Sequence, residues 1–303
     1  MKISKSTKLK KEFILILTLF ALLTLLGSTI SAQEGDNFLW EVSSENNRVY
    51  ILGSIHLAKK DIYPLDPIIE ESFNRSDYLV IEANIQDIDE SLMQQFVLQR
   101  GLYMDGSNLR SNISKDLYDQ VLEEGQKYGL DPFQLNFMRP WLISVTLEML
   151  RFESLGYKAE YGIDNYFITK ATNNKEIIEL ESAEFQLEML SSFSPKLQEM
   201  ALKSTIENGI FAEEIVEILF DYWLRGDTKG LEKLLFKDRI ENPELEEFYF
   251  KVFDQRNYTM TDKILKYLED ENDYFVIVGA GHLIGEAGII NLLKKTGYSP
   301  KQL

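Results

Sequence analysis

Val49-Tyr50-Ile51-Leu52 is a β-branched and aromatic run that stops at Gly53 and delivers a histidine three residues later, at His56. Phe275-Val276-Ile277-Val278 stops at Gly279 and delivers His282 at the same offset. Apolar runs of this length, closed by glycine, are the pattern of β-strands. The chain has two histidines, and the two strand, Gly-x-x-His units use both. The pair is read as the centre of the molecule, so the fold must bring residues near 56 and 279 together in a common sheet.

Residues 38–42 and 48–52 flank Ser43 to Asn47 and read as a β-hairpin with a five-residue loop. Asp66-Pro67 offers an N-cap followed by proline at the first helical position. Tyr78-Leu79-Val80-Ile81 is apolar on both faces, as a buried parallel strand would be, and it ends in Glu82. From 87 to 273 the pattern is helical, with segments at 88–103, 114–129, 132–155, 162–173, 183–192, 195–208, 211–225, 228–237 and 244–270. One short strand, 176–180, interrupts them. Strand 274–278, the Gly279 turn and a helix over 286–296 capped by Gly297 complete the chain. Strands gather at both ends and helices fill the middle. That order predicts an α/β fold, with α+β as its variant: a central mixed sheet built from both chain termini, core 38–85 and 274–303, with a large α-helical insertion at 87–273.

Residues 1–32 read as a secretory signal peptide and not as part of the domain at 33–303. Lys2, Lys5, Lys8, Lys10 and Lys11 form a basic start, Phe13 to Leu26 is apolar but for Thr18 and Thr24, and Gly27 to Ala32 supplies small residues for cleavage before Gln33. An uncleaved anchor is the alternative, and it is the one route to a membrane. Cleavage removes five Lys and one Glu and takes the formal net charge from −17 to −21. So acidic a surface, with no basic cluster after Lys11, repels nucleic acid and anionic lipid. With no cysteine, disulfides, thiolate metal sites and cysteine nucleophiles are excluded, and the chemistry falls to oxygen and imidazole.

Ligands of open α/β sheets bind beyond the carboxyl ends of the strands, and His56, Glu82 and His282 all fall there. Gly53 and Gly279 read as turn glycines, free of Cβ constraints, that let each histidine fold back over the sheet edge. His282 precedes the closing helix, whose positive end favours a neutral imidazole. Two neutral imidazoles and a carboxylate form a set able to hold a divalent ion; zinc, manganese and cobalt all qualify. The structural alternative is that each histidine hydrogen-bonds its own turn. Arg256 occupies the missing step of an apolar stripe running Leu245, Phe248, Val252, then Met260, Ile264 and Leu268, so it requires a carboxylate or an anionic ligand. Gly279-Ala280-Gly281 is no dinucleotide fingerprint, because too little chain follows for a βαβ unit. No HExxH, GxSxG or P-loop occurs.

Taken in order, Gly53-Ser54-Ile55-His56, Tyr63-Pro64-Leu65, Val80-Ile81-Glu82, Arg139-Pro140-Trp141, Gly162-Ile163-Asp164, Leu180-Glu181 with Gln186, Arg256-Asn257 and Gly279-Ala280-Gly281-His282 resemble the TraB/PrgY/GumN family, which includes the Tiki proteins. The resemblance spans about residues 38–303. It implies a metal-dependent peptidase, as in animal Tiki members that trim secreted signalling proteins, with His56, Glu82 and His282 as catalytic and metal-binding residues; separately, Arg139 and Arg256 are read as substrate-binding, with a structural ion pair as the alternative for Arg256. The expectation is an exported hydrolase acting on secreted peptides or proteins. A metal-free, esterase-like hydrolase and a non-catalytic protein that sequesters a peptide remain as alternatives. Glu82 can be ligand or base at this stage.

Overall fold

The computed structural model describes residues 36–84, 89–172, 174–209 and 212–303; the expected leader lies outside them. Six strands among the described residues form one mixed sheet, in the order β4-β3-β5-β2-β1-β6. They are β1 (Leu39–Ser43), β2 (Arg48–Ser54), β3 (Tyr78–Ile81), β4 (Glu176–Glu179), β5 (Tyr274–Gly279) and β6 (Lys301–Gln302). β2, β5, β3 and β4 run parallel, while β1 is antiparallel to both β2 and β6. The α/β reading with a sheet built from both ends of the chain holds.

β5 lies between β2 and β3, and Phe275, Val276, Ile277 and Val278 are wholly buried. Burial on both faces is why its sequence is a continuous apolar run and not an alternation. The hairpin loop is four residues and not five, because Ser43 pairs with Arg48. Ser44 and Asn47 close it by a backbone bond of 3.0 Å, and the Ser44 hydroxyl accepts from Asn47 N–H at 3.1 Å. β6 was not expected: two residues are too few to show a period.

Helices of seven or more residues are α1 (Pro67–Arg75), α2 (Glu90–Phe96), α3 (Lys115–Lys127), α4 (Pro140–Ser154), α5 (Ile163–Ala171), α6 (Ala183–Ser191), α7 (Pro195–Asn208), α8 (Ala212–Leu224), α9 (Thr228–Glu241), α10 (Gln255–Leu268) and α11 (Ile289–Lys295). None is long and apolar enough to cross a membrane. The Asp66 side chain caps α1 by accepting from Ile68 N–H, with Pro67 at the first position. Phe73 of α1 and Phe167 of α5 meet Phe275 of β5 in one cluster of rings, 5.0–5.6 Å between centroids. These two helices therefore cover the same face of the sheet. Gly297 follows α11 at φ +99, the left-handed conformation that ends helices and that glycine adopts freely.

Two expected helices are interrupted. The segment 132–155 breaks before Pro140, which starts α4; Arg139 is extended at φ −73 and ψ 154, as proline demands of the residue before it. The segment 244–270 is a composite of a 3₁₀ turn (Pro243–Leu245), one α turn (Glu246–Tyr249), a π turn (Phe250–Asp254) and α10. The chain forms two compact units. One comprises Asn84–Gly156 and Ala183–Glu213, with a core that includes Leu109, Val121, Leu135, Ile143, Leu147 and Leu202. The other holds the six-stranded sheet and consists of residues 36–83, Tyr157–Ser182 and Glu214–Leu303.

Candidate functional site

The register of the three central strands places their ends side by side. Ser54 pairs with Gly279, and Ile81 with Ile277, so the residues that follow β2, β3 and β5 emerge at one edge. These are His56, Glu82 and His282, all buried. Of their carrier glycines, Gly53 works by close approach. Gly53 lies within β2, where a Cβ would stand 2.5 Å from Phe38 Cδ1 and 3.0 Å from Ala280 Cα. Gly279 has φ −52 and ψ 135, ordinary for any residue. Neither is in the left-handed region, so the expected freedom of turn is not what these glycines supply.

His56 is oriented by α5. A Cβ on Gly162 would run into the His56 carbonyl oxygen, so glycine there lets the start of α5 lie directly on the His56 backbone, with Ile163 N–H bonded to Ile55 O at 3.1 Å. Asp164, in the first turn, then reaches back. Its Oδ2 stands 2.7 Å from His56 Nδ1 and its Oδ1 accepts from Ser54 Oγ at 3.0 Å. A carboxylate only accepts, so Nδ1 carries a proton, and in the neutral ring, the form that ligates metal, Nε2 bears the lone pair. That Nε2 is buried and has no hydrogen-bond partner in the protein. Burial alone would lower the pKa of His56, but the charge of Asp164 and its hydrogen bond outweigh burial and raise it.

Glu82 is held from both sides. Its Oε1 accepts from Arg256 Nη2 and its Oε2 from Gly279 N–H at 2.9 Å. Arg256 also donates through Nε to both oxygens of Glu181, at 3.1 and 2.9 Å, and through Nη1 to Val252 O at 3.1 Å. The guanidinium is thus enclosed by two carboxylates and a carbonyl, the pairing that its place on an apolar stripe demanded. Burial would raise the Glu82 pKa; Arg256, the two imidazoles and the Gly279 N–H together bring it well below the usual carboxylate range. A carboxylate with so little proton affinity suits a ligand or an orienting anion better than a general base at neutral pH.

His282 lies in a 3₁₀ turn (Ala280–Leu283), its ring tilted 49° to that of Phe253 with centroids 5.4 Å apart. Its Nδ1 is 2.6 Å from Asn257 Oδ1. The Asn257 amide donates to Ala287 O at 2.9 Å, which turns its oxygen toward the histidine, so here too Nδ1 donates and Nε2 is bare. Nε2 is 3.8 Å from Glu82 Oε1. The helix expected to keep His282 neutral begins only at Ile289. Burial first, and the Arg256 charge second, do so instead, and they push its pKa down to about 3.

The three groups surround one point. A Cβ placed on Gly279 would lie 3.5 Å from His56 Nε2, 3.5 Å from His282 Cδ2 and 3.6 Å from Glu82 Oε2, so the first two atoms are no more than about 7 Å apart. As the side chains stand, no three or more His, Cys, Asp or Glu among the described residues are gathered into a ready metal cage. The donor chemistry nonetheless fits a divalent ion: two imidazoles with Nδ1–H held by an oxygen acceptor and Nε2 free is the arrangement of metal-ligating histidines, and one of those nitrogens is buried without a partner.

Asp164, Asn257 and Glu181 had no role assigned from the sequence. Asp164 and Asn257 were legible only as neighbours of Gly162 and Arg256. Glu181 was quoted only within the Leu180-Glu181 pair of the resemblance. Arg139 lies in the other unit, at the start of α4, with its guanidinium 4.7 Å from the centre of the Tyr103 ring.

A sequence model of the TraB/PrgY/gumN family matches residues 38–302. The chain is 25% identical over 269 residues to the uncharacterized protein YbaP of Escherichia coli K12, covering 87% of this chain and 96% of that protein. It is 22% identical over 282 residues to an uncharacterized protein of Treponema pallidum, covering 89% and 83%. It is 20% identical over 318 residues to a protein of Nematostella vectensis named Metalloprotease TIKI homolog, covering 87% of this chain and 66% of that one.

Proposed function

The chain belongs to the TraB/PrgY/gumN family, and from that premise and the geometry of its site we propose that it is an exported hydrolase that cleaves peptide bonds with the help of a divalent metal ion. The observation that carries the reading is the meeting of His56, Glu82 and His282 around one point, with the His56 Nε2 lone pair buried and unpartnered. Similarity to a protein named as a metalloprotease supports it.

His56 and His282 would hold the ion through Nε2, with Glu82 beside them. A divalent ion there would supply Lewis acidity to a scissile carbonyl. Asp164 accepts the His56 Nδ1–H and Asn257 the His282 Nδ1–H, which fixes both tautomers with Nε2 bare. Arg256 neutralises Glu82 and keeps it ionised. Glu82 thereby presents an acceptor that orients a water or a substrate N–H. The acidic surface inferred from composition favours peptides that are neutral or basic.

The test is mass spectrometry of a peptide library incubated with the protein and Zn²⁺, Mn²⁺ or Co²⁺, with and without chelator. Fragments that vanish with chelator and in His282→Ala support the proposal. Cleavage that survives chelation would favour metal-free hydrolysis, and retention of intact peptides without cleavage would favour a binder. Glu82→Gln should lose metal if the carboxylate is a ligand, and keep metal while losing activity if it is a base. Export is checked separately: native protein should begin near Gln33, and recovery from membranes with Met1 intact would overturn it.

A further inference from the structure

Glycine at 279 is explained by neither backbone nor packing. Its φ of −52 and ψ of 135 suit any L-residue, and an added Cβ would meet nothing closer than 3.5 Å, which is ordinary van der Waals contact. The neighbouring glycines differ. At Gly53 a Cβ would stand 2.5 Å from Phe38 Cδ1, and at Gly281 it would stand 2.8 Å from Phe253 Cε1, so those positions are small because the fold presses on them. At Gly279 the missing methyl leaves room between His56 Nε2, Glu82 Oε2 and the His282 ring. One wall of that room is His56 Nε2, a buried ring nitrogen with no hydrogen-bond partner in the protein, a costly arrangement unless something polar takes the space.

We propose that Gly279 is a specificity-determining residue whose absent methyl is the seat of the site's ligand, a single electron-pair acceptor, either a divalent cation or a water molecule, that engages His56 Nε2. This rests on the hydrolase reading of the same three residues and adds the physical reason that a glycine, and no larger residue, ends β5. The seat is the place a Cβ would take, 3.5 Å from His56 Nε2 and 3.6 Å from Glu82 Oε2. Gly279→Ala fills it with an inert carbon while leaving all three polar side chains in place.

The experiment compares wild type, Gly279→Ala and Gly53→Ala by thermal melting, by zinc titration calorimetry and by nitrogen-15 NMR of the histidines. Since the chain has two histidines, each ring nitrogen is read singly. Gly279→Ala is expected to melt no lower than wild type, whereas Gly53→Ala melts lower. Zinc should move the His56 Nε2 signal in wild type and leave it unmoved in Gly279→Ala, with affinity reduced at least about tenfold. Zinc binding of wild-type strength to Gly279→Ala would overturn the seat, and so would melting lowered as far as in Gly53→Ala. If wild type takes up none of zinc, manganese and cobalt by calorimetry, the metal part of the hydrolase reading fails. The seat is then judged on the metal-free spectra: a His56 Nε2 signal shifted by Gly279→Ala supports a water there, and an identical signal sinks the idea.

Discussion

The most informative side chains are those that hold the reactive ones. Asp164 touches His56 and Ser54 at once, so its charge fixes both the tautomer and the proton affinity of His56. Asp164→Asn keeps the shape and removes the charge. The raised pKa of His56 should fall in a histidine NMR titration, the His282 signal should stay, and hydrolysis should drop about 10- to 100-fold. An unchanged His56 titration would show that Asp164 only packs. Arg256 is the opposite case, a cation shared by Glu82 and Glu181. Arg256→Met keeps much of the volume but takes their shared cation from two buried carboxylates, and it should cost about 3–5 kcal/mol in urea unfolding. Arg256 was legible in the sequence because it interrupts an apolar stripe. Its partner Glu181 was not, because no periodicity links a strand end to a distant helix.

Helical spacing explains why one element was read nearly right and for an incomplete reason. Phe248, Val252, Arg256, Met260, Ile264 and Leu268 repeat every four residues, and all are buried. At 3.6 residues per turn each such step drifts by about 40°, so a regular helix could not keep all six on one side. The π turn at Phe250–Asp254 takes up the excess just before Arg256. The adjacent residues Arg256 and Asn257 consequently both reach the site, one to Glu82 and one to His282. The strict fourfold spacing was the signal for that turn. In the other unit, α4 is buried along most of its length and carries Glu148 and Arg151. Arg151 donates to Glu148 at 3.1 Å and to Glu124 of α3 at 3.1 Å, so one cation serves two acids. Burial raises Glu148 to about 7, against the pull of Arg151. The folded state then binds the Glu148 proton more tightly than the unfolded chain, whose carboxyl titrates near 4.5. That contribution to stability is complete below about pH 4.5 and is lost as pH rises through about 7, at most about 3 kcal/mol. Urea unfolding across this range should show the fall, and Glu148→Gln should flatten it. A slope unaltered by Glu148→Gln would assign the effect to other groups.

At the scale of the molecule, the two strand, Gly-x-x-His units foretold that distant parts of the chain share a sheet, and β2 and β5 do pair in parallel over six residues. That β5 would also sit against β3, which brings Glu82 to the same sheet edge as the histidines, was not readable, since strand order is set by tertiary packing and not by any local pattern. Least visible of all was the edge. β6 lies against β1, with Leu303 N–H donating to Leu39 O at 3.0 Å and Asn37 N–H donating to Leu303 O. Gln302 Nε2 donates to Asn37 O at 3.0 Å and to Gly226 O at 2.9 Å. These bonds tie the first strand, the loop after α8 and the last residues into one rim. A backbone edge left open exposes unpaired N–H and C=O groups that recruit other strands. Deleting residues 301–303 removes those four hydrogen bonds and bares β1, which at about 1 kcal/mol each should lower stability by about 4 kcal/mol. Light scattering on warming should show the deletion variant aggregating earlier than the full chain. Because β2, β5 and β3 keep their own pairings, the histidine NMR signals of the folded deletion variant should match those of wild type. Altered histidine signals at a temperature where circular dichroism still reports the native sheet would mean that the rim reaches into the site, and that the edge strand is part of what positions His56.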